Sequence, residues 1–345
     1  MVESQASISI ESTRRPFFVG VDVGGTNTKI GVVDDDGRIL GKTSISTHEE
    51  RGPADAVARI AKAVEQLLRE IGLSFDDVAA IGLGTPGSQD IPRGIIYEPP
   101  NMPHWRNYPI RDELALACKK PVAYANDANA AAYGEFWVGS GRQHPCMVMF
   151  TLGTGVGGGI VLHDHLVEGE NSFGSELGHL VIDARPDARL CVWGGGLGQL
   201  EAYASASAVV VRAEEALAAG AQSSIHKRRQ AENGLTAKML FEEAEQGDQF
   251  SIDIILETAR YLGVGVTTIV HALDPGLVVL GGAMTFGGHA TQTGRAFLAA
   301  VRKEFLGRTF HVVEKTVIDY ASLGGDAGFI GAAGIARRKG LGSKA

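Results

Sequence analysis

The chain of 345 residues carries 44% hydrophobic and 21% charged residues, the balance of a folded globular protein long enough for two ordinary domains. Its formal net charge of -8, with no basic stripe interleaved with aromatics, speaks against nucleic-acid binding, and no apolar run reaches membrane-spanning length. Three widely spaced cysteines, Cys118, Cys146 and Cys191, read as reduced thiols of a cytoplasmic protein and not as a disulfide framework.

Residues 1–16 are polar and mixed, without a signal-peptide core, and are expected to form a flexible tail. Phe17–Val33 then reads as strand, tight turn, strand, with two apolar β-branched runs flanking Gly24-Gly25-Thr26-Asn27. The turn offers backbone N–H groups, the Thr26 hydroxyl and, at the end of the first strand, the Asp22 carboxylate. Such a turn can hold phosphate oxygens, and an acid beside it can hold Mg²⁺. An ordinary hairpin needs only one or two of these residues. Arg38–Ser46 reads as a third strand. Pro53–Ile71 is a helix, its apolar residues recurring at three- and four-residue steps from Val57 to Ile71. Val78–Gly84 is a buried strand broken by Thr85-Pro86-Gly87. The long loop Ser88–Tyr108 holds Asn101 and Trp105, and its length favours a functional reading. A helix over Arg111–Cys118, a strand over Pro121–Ala125 and a helix over Asp127–Trp137 complete this part.

A second series opens with a strand over Cys146–Leu152, a turn over Gly153–Gly159 and a new strand from Ile160. Strand, glycine-rich turn and strand thus occur twice, a weak internal repeat. Two mixed α/β domains built this way would face each other across a cleft between two phosphate-binding turns. Gly153, Gly155 and Gly158 also match G-x-G-x-x-G, but a strand follows where the dinucleotide fingerprint requires a helix. Leu200–Ala218, Thr236–Glu245 and Phe250–Leu273 read as helices, Leu277–Leu280 and Val312–Ile318 as strands, and Gly328–Arg337 as a helix. The pair Gly281-Gly282 after a strand lets a flat ligand, such as an adenine ring, lie against the backbone.

Three places carry chemistry. Asn126-Asp127 joins a buried strand to a helix, where α/β proteins place ligands; an acid there caps the helix or accepts a proton from a substrate hydroxyl. Glu176 and His179 flank Gly178, and Glu201 opens a helix after a glycine-rich loop. A surface turn and a helix-dipole acid are the ordinary explanations of these. Carboxylates, amides and an imidazole are also the groups that pair with the hydroxyls of a sugar. Asn101, Asn126, Asp127, Glu176, His179 and Glu201 are of these kinds.

Taken in order, Asp22-Val23-Gly24-Gly25-Thr26, Asn126-Asp127-Ala128-Asn129-Ala130-Ala131, Gly153–Gly159, Glu176-Leu177-Gly178-His179, Leu200–Ser205 and Gly281-Gly282 resemble the ROK sugar kinases of the actin–hexokinase superfamily. The resemblance runs from about Phe18 to Arg337. It implies an α/β fold of two RNase H-like domains, each a mixed five-stranded sheet with flanking helices, closing a cleft over ATP and a hexose. The small domain is expected over 17–130 plus about 323–345, and the large one over 131–322. By motif match, Asp22 handles Mg²⁺ carried by ATP. Gly24, Gly25, Thr26, Asn27 and Lys29 line one side of the nucleotide phosphates, Thr154 and Gly155 line the other, and Gly282 lies near the adenosine. Asp127 is the base that takes the sugar 6-hydroxyl proton, and Asn101, Asn126, Asp127, Glu176, His179 and Glu201 hold the sugar. The Leu-Glu-Ala-Tyr-Ala-Ser run is most like the glucose enzymes, so the expected reaction is ATP-dependent conversion of glucose to glucose 6-phosphate in a cytoplasmic homodimer. Kinases of fructose, mannose or N-acetylhexosamines are the near alternatives, polyphosphate an alternative donor, and a non-catalytic sugar-sensing regulator the distant one. Many members of the family bind zinc through this histidine and a cysteine-rich loop. Here Val192, Gly194 and Gln199 stand at the three cysteine positions and Cys191 is one residue out of register, so no structural zinc is expected. His179 is then left to be oriented by a hydrogen bond at its other ring nitrogen.

Overall fold

The computed structural model describes residues 12–99, 102–191, 195–232 and 234–341. The chain forms two compact units, one drawn from Met1–Pro145, Gly159–Ser175 and Ser322–Ala345, the other from Cys146–Gly158 and Glu176–Ala321.

In the first unit, β1 (Phe17–Val23) and β2 (Asn27–Val33) form the expected hairpin, with Asp22 opposite Lys29. β3 (Ile39–Ser46) adds antiparallel to β2. Helix α1 (Gly52–Glu70) turns Ala56, Val57, Ile60, Val64, Leu67 and Leu68 inward, the face its periodicity predicts. β4 (Val78–Thr85) runs parallel to β1 and carries Gly84 to a position beside Asp22. The region 88–108 is less irregular than its composition implies. It contains a short hairpin of β5 (Ser88–Asp90) and β6 (Ile95–Glu98) and a 3₁₀ turn at Pro103–Trp105. Trp105 is fully buried among core residues, where it serves packing. Asn101 lies outside the described residues. Helix α2 (Ile110–Cys118) leads to β7 (Val122–Asn126), which is parallel to β4, and α3 (Asp127–Trp137) follows at once.

The chain continues through β8 (Cys146–Leu152), β9 (Val156–Leu162) and β10 (His165–Leu166). β9 begins earlier than expected, and Gly157–Gly159 belong to the strand, not the turn. Leu177 occupies the space a side chain at Gly158 would need. The single helix expected over 200–218 is two, α4 (Glu201–Ala204) and α5 (Ala206–Ala218). Ser205 is extended between them (φ −83, ψ 163), and its hydroxyl caps α5 by accepting from the Ala208 N–H. Next come α6 (Ile225–Ala231), α7 (Ala237–Glu245), the long α8 (Gln249–Leu273), β11 (Leu277–Gly281) and α9 (Gln292–Leu306). α6 and α9 were not among the expected elements. β12 starts only at Val317 and runs to Tyr320, because its register is set by β11, Leu277 pairing with Val317. The preceding residues 311–313 form a 3₁₀ turn instead of the start of a strand. α10 (Ala327–Leu341) closes the described chain.

Both five-stranded sheets share one plan. Their orders are β3-β2-β1-β4-β7 and β10-β9-β8-β11-β12. Counted along the chain, each places its strands third, second, first, fourth, fifth, so the repeat sensed in the sequence is a repeat of topology. In the first unit, α1 and α2 cover one face of the sheet. The other face packs Phe18, Val33, Ala80 and Ala125 against Phe329, Ile330 and Ala333 of α10 and Tyr133 of α3.

Candidate active site

In the first unit the parallel strands β1, β4 and β7 end side by side, Asp22 beside Gly84 and Thr85 beside Asn126. Gly84 presents no side chain, and a Cβ built there would lie 3.6 Å from the Asp127 Cα. The carboxylates of Asp22 and Asp127 therefore stand on either side of a bare strand end. Asn126 is the N-cap of α3, its Oδ1 accepting from the Ala128 N–H at 2.8 Å and the Asn129 N–H at 3.3 Å. The cap thus falls on Asn126, one residue before Asp127, which takes the first helical position. Asp127 Oδ1 accepts from the Ala128 N–H at 2.8 Å.

The electrostatics follow from this packing. Burial raises the Asp127 carboxyl above the usual carboxylate range, with the Ala128 N–H pulling the other way. Burial, and then repulsion from Asp127, pushes Asp22 up to about 7, while Lys29 draws it down. The Asp22 carboxylate also fills the space that a side chain at Gly328 of α10 would occupy. Beside it, the hairpin turn is tied from below. The Thr47 hydroxyl donates to the Gly24 carbonyl at 2.6 Å, and the Thr47 N–H donates to the Thr26 carbonyl at 2.8 Å. Gly25, Thr26 and Asn27 remain exposed. The Lys29 ammonium donates to the Gly325 carbonyl at 2.6 Å.

The second unit gathers the other predicted residues around Val156. Residues Leu177–His179 form a 3₁₀ turn following Glu176. Gly178 packs against the Val156 carbonyl so closely that any Cβ would overlap it, which explains a glycine between Glu176 and His179. The Val156 N–H donates to Glu201 Oε2 at 2.8 Å. Glu201 is only 7% exposed, and its Oε1 accepts from the Cys191 thiol at 3.1 Å. Glu176 is exposed, while His179 is half-buried with Nδ1 2.9 Å from Gln199 Oε1. The hydrogen bond expected at the second ring nitrogen of His179 thus comes from the residue at the third cysteine position. Val192 and Gly194 lie outside the described residues, and among the described residues no three His, Cys, Asp or Glu cluster as metal ligands would.

The glycine turn of this unit is bound to the start of α5. The Ala206 N–H donates to the Gly153 carbonyl at 2.9 Å, and the Ser207 hydroxyl donates to the Thr154 carbonyl at 2.9 Å. Thr154 is exposed. Gly282 (φ 92) lies against the backbone of Leu152, the residue before this turn, so closely that a side chain would overlap it. Thr154, Gly155 and Gly282 are therefore neighbours across one short stretch of backbone. Sequence reading missed Cys191 and the partnership of Gln199. Their only signal was negative, a cysteine out of register and a glutamine where a thiol was expected.

Two like α/β sheets, glycine turns after their first strands and acids at strand ends define a class of two-unit phosphotransferase-like folds. The chain belongs to the ROK family, whose model matches residues 18–339. It is 36% identical over 324 residues to a glucokinase of Thermotoga maritima, covering 93% of this chain and 98% of that one. Among solved structures it is similar to the ROK hexokinase of Thermus thermophilus, with a TM-score of 0.78 and 35% identity over 94% of this chain and 98% of that chain. It is likewise similar to a ROK glucokinase of Streptomyces griseus in complex with glucose and AMPPNP, with a TM-score of 0.73 and 33% identity over 93% of this chain and 99% of that chain.

Proposed function

We propose that this protein is an ATP-dependent glucokinase, transferring the γ-phosphoryl group of ATP to the 6-hydroxyl of glucose. The observation that carries the chemistry is Asp127, a carboxylate at the end of β7 whose proton affinity is raised by burial. In the proposed step its carboxylate takes the 6-hydroxyl proton while the sugar oxygen forms a bond to the γ-phosphorus. The bond from that phosphorus to the β-phosphate oxygen breaks, and ADP leaves with the electron pair. A base with raised affinity is better matched to a hydroxyl proton than an ordinary carboxylate is. Positioning and charge neutralisation supply most of the remaining acceleration in phosphoryl transfer. The glucose- and AMPPNP-bound relative supports both substrates.

The residue roles are part of the same proposal. Asn101, Asn126, Asp127, Glu176, His179 and Glu201 hold the sugar; Gly24, Gly25, Thr26, Asn27 and Lys29 take one side of the nucleotide; Thr154, Gly155 and Gly282 take the other. The start of α5 beside Thr154 supports an anion there, since a helix N-terminus favours negative charge. The donor chemistry on the Asp22 side fits Mg²⁺, a hard cation that prefers carboxylate oxygens. Two carboxylates, both disfavoured as charges by burial and one further by its neighbour, form a place where a divalent cation is welcome. Bound with ATP, Mg²⁺ would neutralise charge on the transferring phosphates. A homodimer and a cytoplasmic location complete the reading, and light scattering tests the first of these. Among the described residues no helix is long and apolar enough to cross a membrane.

ADP release measured over glucose, fructose, mannose and N-acetylhexosamines, with ATP or polyphosphate as donor, tests the reading. The expected result is the highest kcat/KM for glucose with ATP, with a 6-phosphate identified by ³¹P NMR. No turnover of glucose at millimolar concentration overturns it.

A further inference from the structure

We infer that Gln199 is a positioning residue for the sugar. It fixes the tautomer and orientation of His179 so that Nε2 faces the substrate as a hydrogen-bond acceptor, and Gly196 is the seat that makes this possible. The inference rests on the proposed role of His179 in sugar binding and deepens it. A neutral imidazole has one N–H and one lone pair, and the partner at one nitrogen decides what the other can do. Gln199 Oε1, an acceptor, lies 2.9 Å from His179 Nδ1, so the proton is on Nδ1. Nε2 is then an acceptor and can receive the hydrogen of a sugar hydroxyl.

The backbone holds Gln199 for this task. Gln199 forms a bridge with Val181, two residues after His179. On either side of it the Ile182 N–H donates to the Gly198 carbonyl at 2.8 Å, and the Leu200 N–H donates to the Leu180 carbonyl at 2.8 Å. The two segments are therefore locked in register, and the Gln199 side chain starts from a fixed position beside the imidazole. Its amide then lies over Gly196. The nearest atoms a Cβ at Gly196 would meet all belong to the Gln199 amide, Nε2, Cδ and Oε1, so a methyl group there pushes aside the far end of a flexible side chain. The φ of Gly196 lies outside the left-handed region, so alanine is conformationally acceptable there.

This arrangement gives two independent ways to remove one hydrogen bond. Gln199→Leu deletes the acceptor, and Gly196→Ala keeps it but pushes it aside. Both should raise the KM for glucose about three- to tenfold, the range of one modest hydrogen bond, with kcat changed less than about threefold and the KM for ATP unmoved. Gln199→Glu keeps an acceptor and should hold the glucose KM within about twofold of wild type at pH 8.5. Long-range ¹H–¹⁵N NMR of the His179 ring reads the tautomer without turnover: Nδ1–H in the wild type, a mixture of tautomers in Gln199→Leu. Wild-type turnover of glucose with an unchanged KM in Gln199→Leu, or a wild-type ring protonated at Nε2, overturns the inference. An unchanged glucose KM in His179→Ala instead overturns the sugar role of His179, and leaves the NMR result to judge Gln199 alone.

Discussion

The two units solve the problem of a buried carboxylate in opposite ways. In the second, Glu201 is buried but satisfied: a backbone N–H serves one oxygen and a thiol the other. In the first, Asp22 and Asp127 are desolvated and repel, and both carboxyls are pushed above their ordinary range. A satisfied carboxylate is a fixed acceptor, suited to holding a neutral polyol in one orientation. A frustrated pair stores electrostatic cost that a proton or a cation can relieve, which suits a site where charge moves during the reaction. The same fold plan, repeated, thus carries a satisfied acid in one unit and a poised pair in the other.

The largest expected effect comes from removing the proposed base, Asp127. Asp127→Asn keeps the shape of the side chain and the start of α3, but it cannot take a proton. Its kcat should fall by about 10²–10⁴, while glucose binding, though weakened by the loss of a sugar contact, stays measurable by calorimetry. In the wild type the acid limb of kcat should lie above the usual carboxylate range, because Asp127 must lose its proton to act and burial makes that harder. A kcat within tenfold of wild type in Asp127→Asn would place the base elsewhere.

The second effect reads the frustration directly as stability in the ligand-free, metal-free protein. The folded-state affinity of Asp22 for its proton is raised to about 7 from 3.8. Between those values the native state holds a proton that the unfolded state has lost. The contribution of Asp22 to wild-type stability therefore falls as pH rises through this window, and its loss is complete above about 7. Asp22→Asn escapes the loss, by at most about 4 kcal/mol at about 1.4 kcal/mol per unit. Thermal melts should show the variant gaining on wild type from pH 4 to 7 and holding a constant lead above it, at the expense of turnover. A lead that does not change with pH would remove the carboxylate repulsion from this account.

What was legible in the sequence was what neighbours in the chain decide. Asp22 follows from a β-branched run meeting a glycine turn, and Asn126-Asp127 from a buried strand running into a helix. The cap itself went to Asn126 because strand β7 extends one residue further than its apolar run. Trp105 counted toward a functional reading of its polar loop, yet the loop folds into a small hairpin and a 3₁₀ turn, and the indole lies in the core. Cys191 and Gln199 stayed opaque for another reason. Their partners lie 10 and 20 residues away, joined through isolated bridges such as Leu190 with Leu197, and no periodicity announces a bridge of that kind. The Gly-rich loop was read by what its thiols could not do, when the structure uses the side chains present for two separate hydrogen bonds.

On the satisfied side, Glu201→Ala should cost roughly 1–3 kcal/mol, the penalty of leaving the Val156 N–H buried without its acceptor. In a chain of this size that lowers Tm by roughly 2 °C per kcal/mol. The sign is opposite to that of Asp22→Asn, and this opposition is the sharpest form of the comparison between the units. If both variants melt alike, or if Glu201→Ala is more stable than wild type, Glu201 is as frustrated as Asp22 and the contrast fails.

The smallest effect belongs to Cys191. A thiol is a weak donor, and its contact to Glu201 Oε1 is 3.1 Å long. Cys191→Val keeps an apolar side chain of similar bulk but removes the thiol donor from that oxygen, so a loss of about 1 kcal/mol is expected. Cys191→Ser restores an O–H donor on a shorter bond, and its stability should lie between the two. The ordering matters more than the size. If the thiol were simply filling space in the core, valine would be at least as stable as cysteine, and serine, which buries a hydroxyl, would be the worst of the three. If it serves Glu201, serine beats valine, and a double variant with Glu201→Gln should show the two sites coupled, since the gain from a donor depends on the charge of the oxygen it faces.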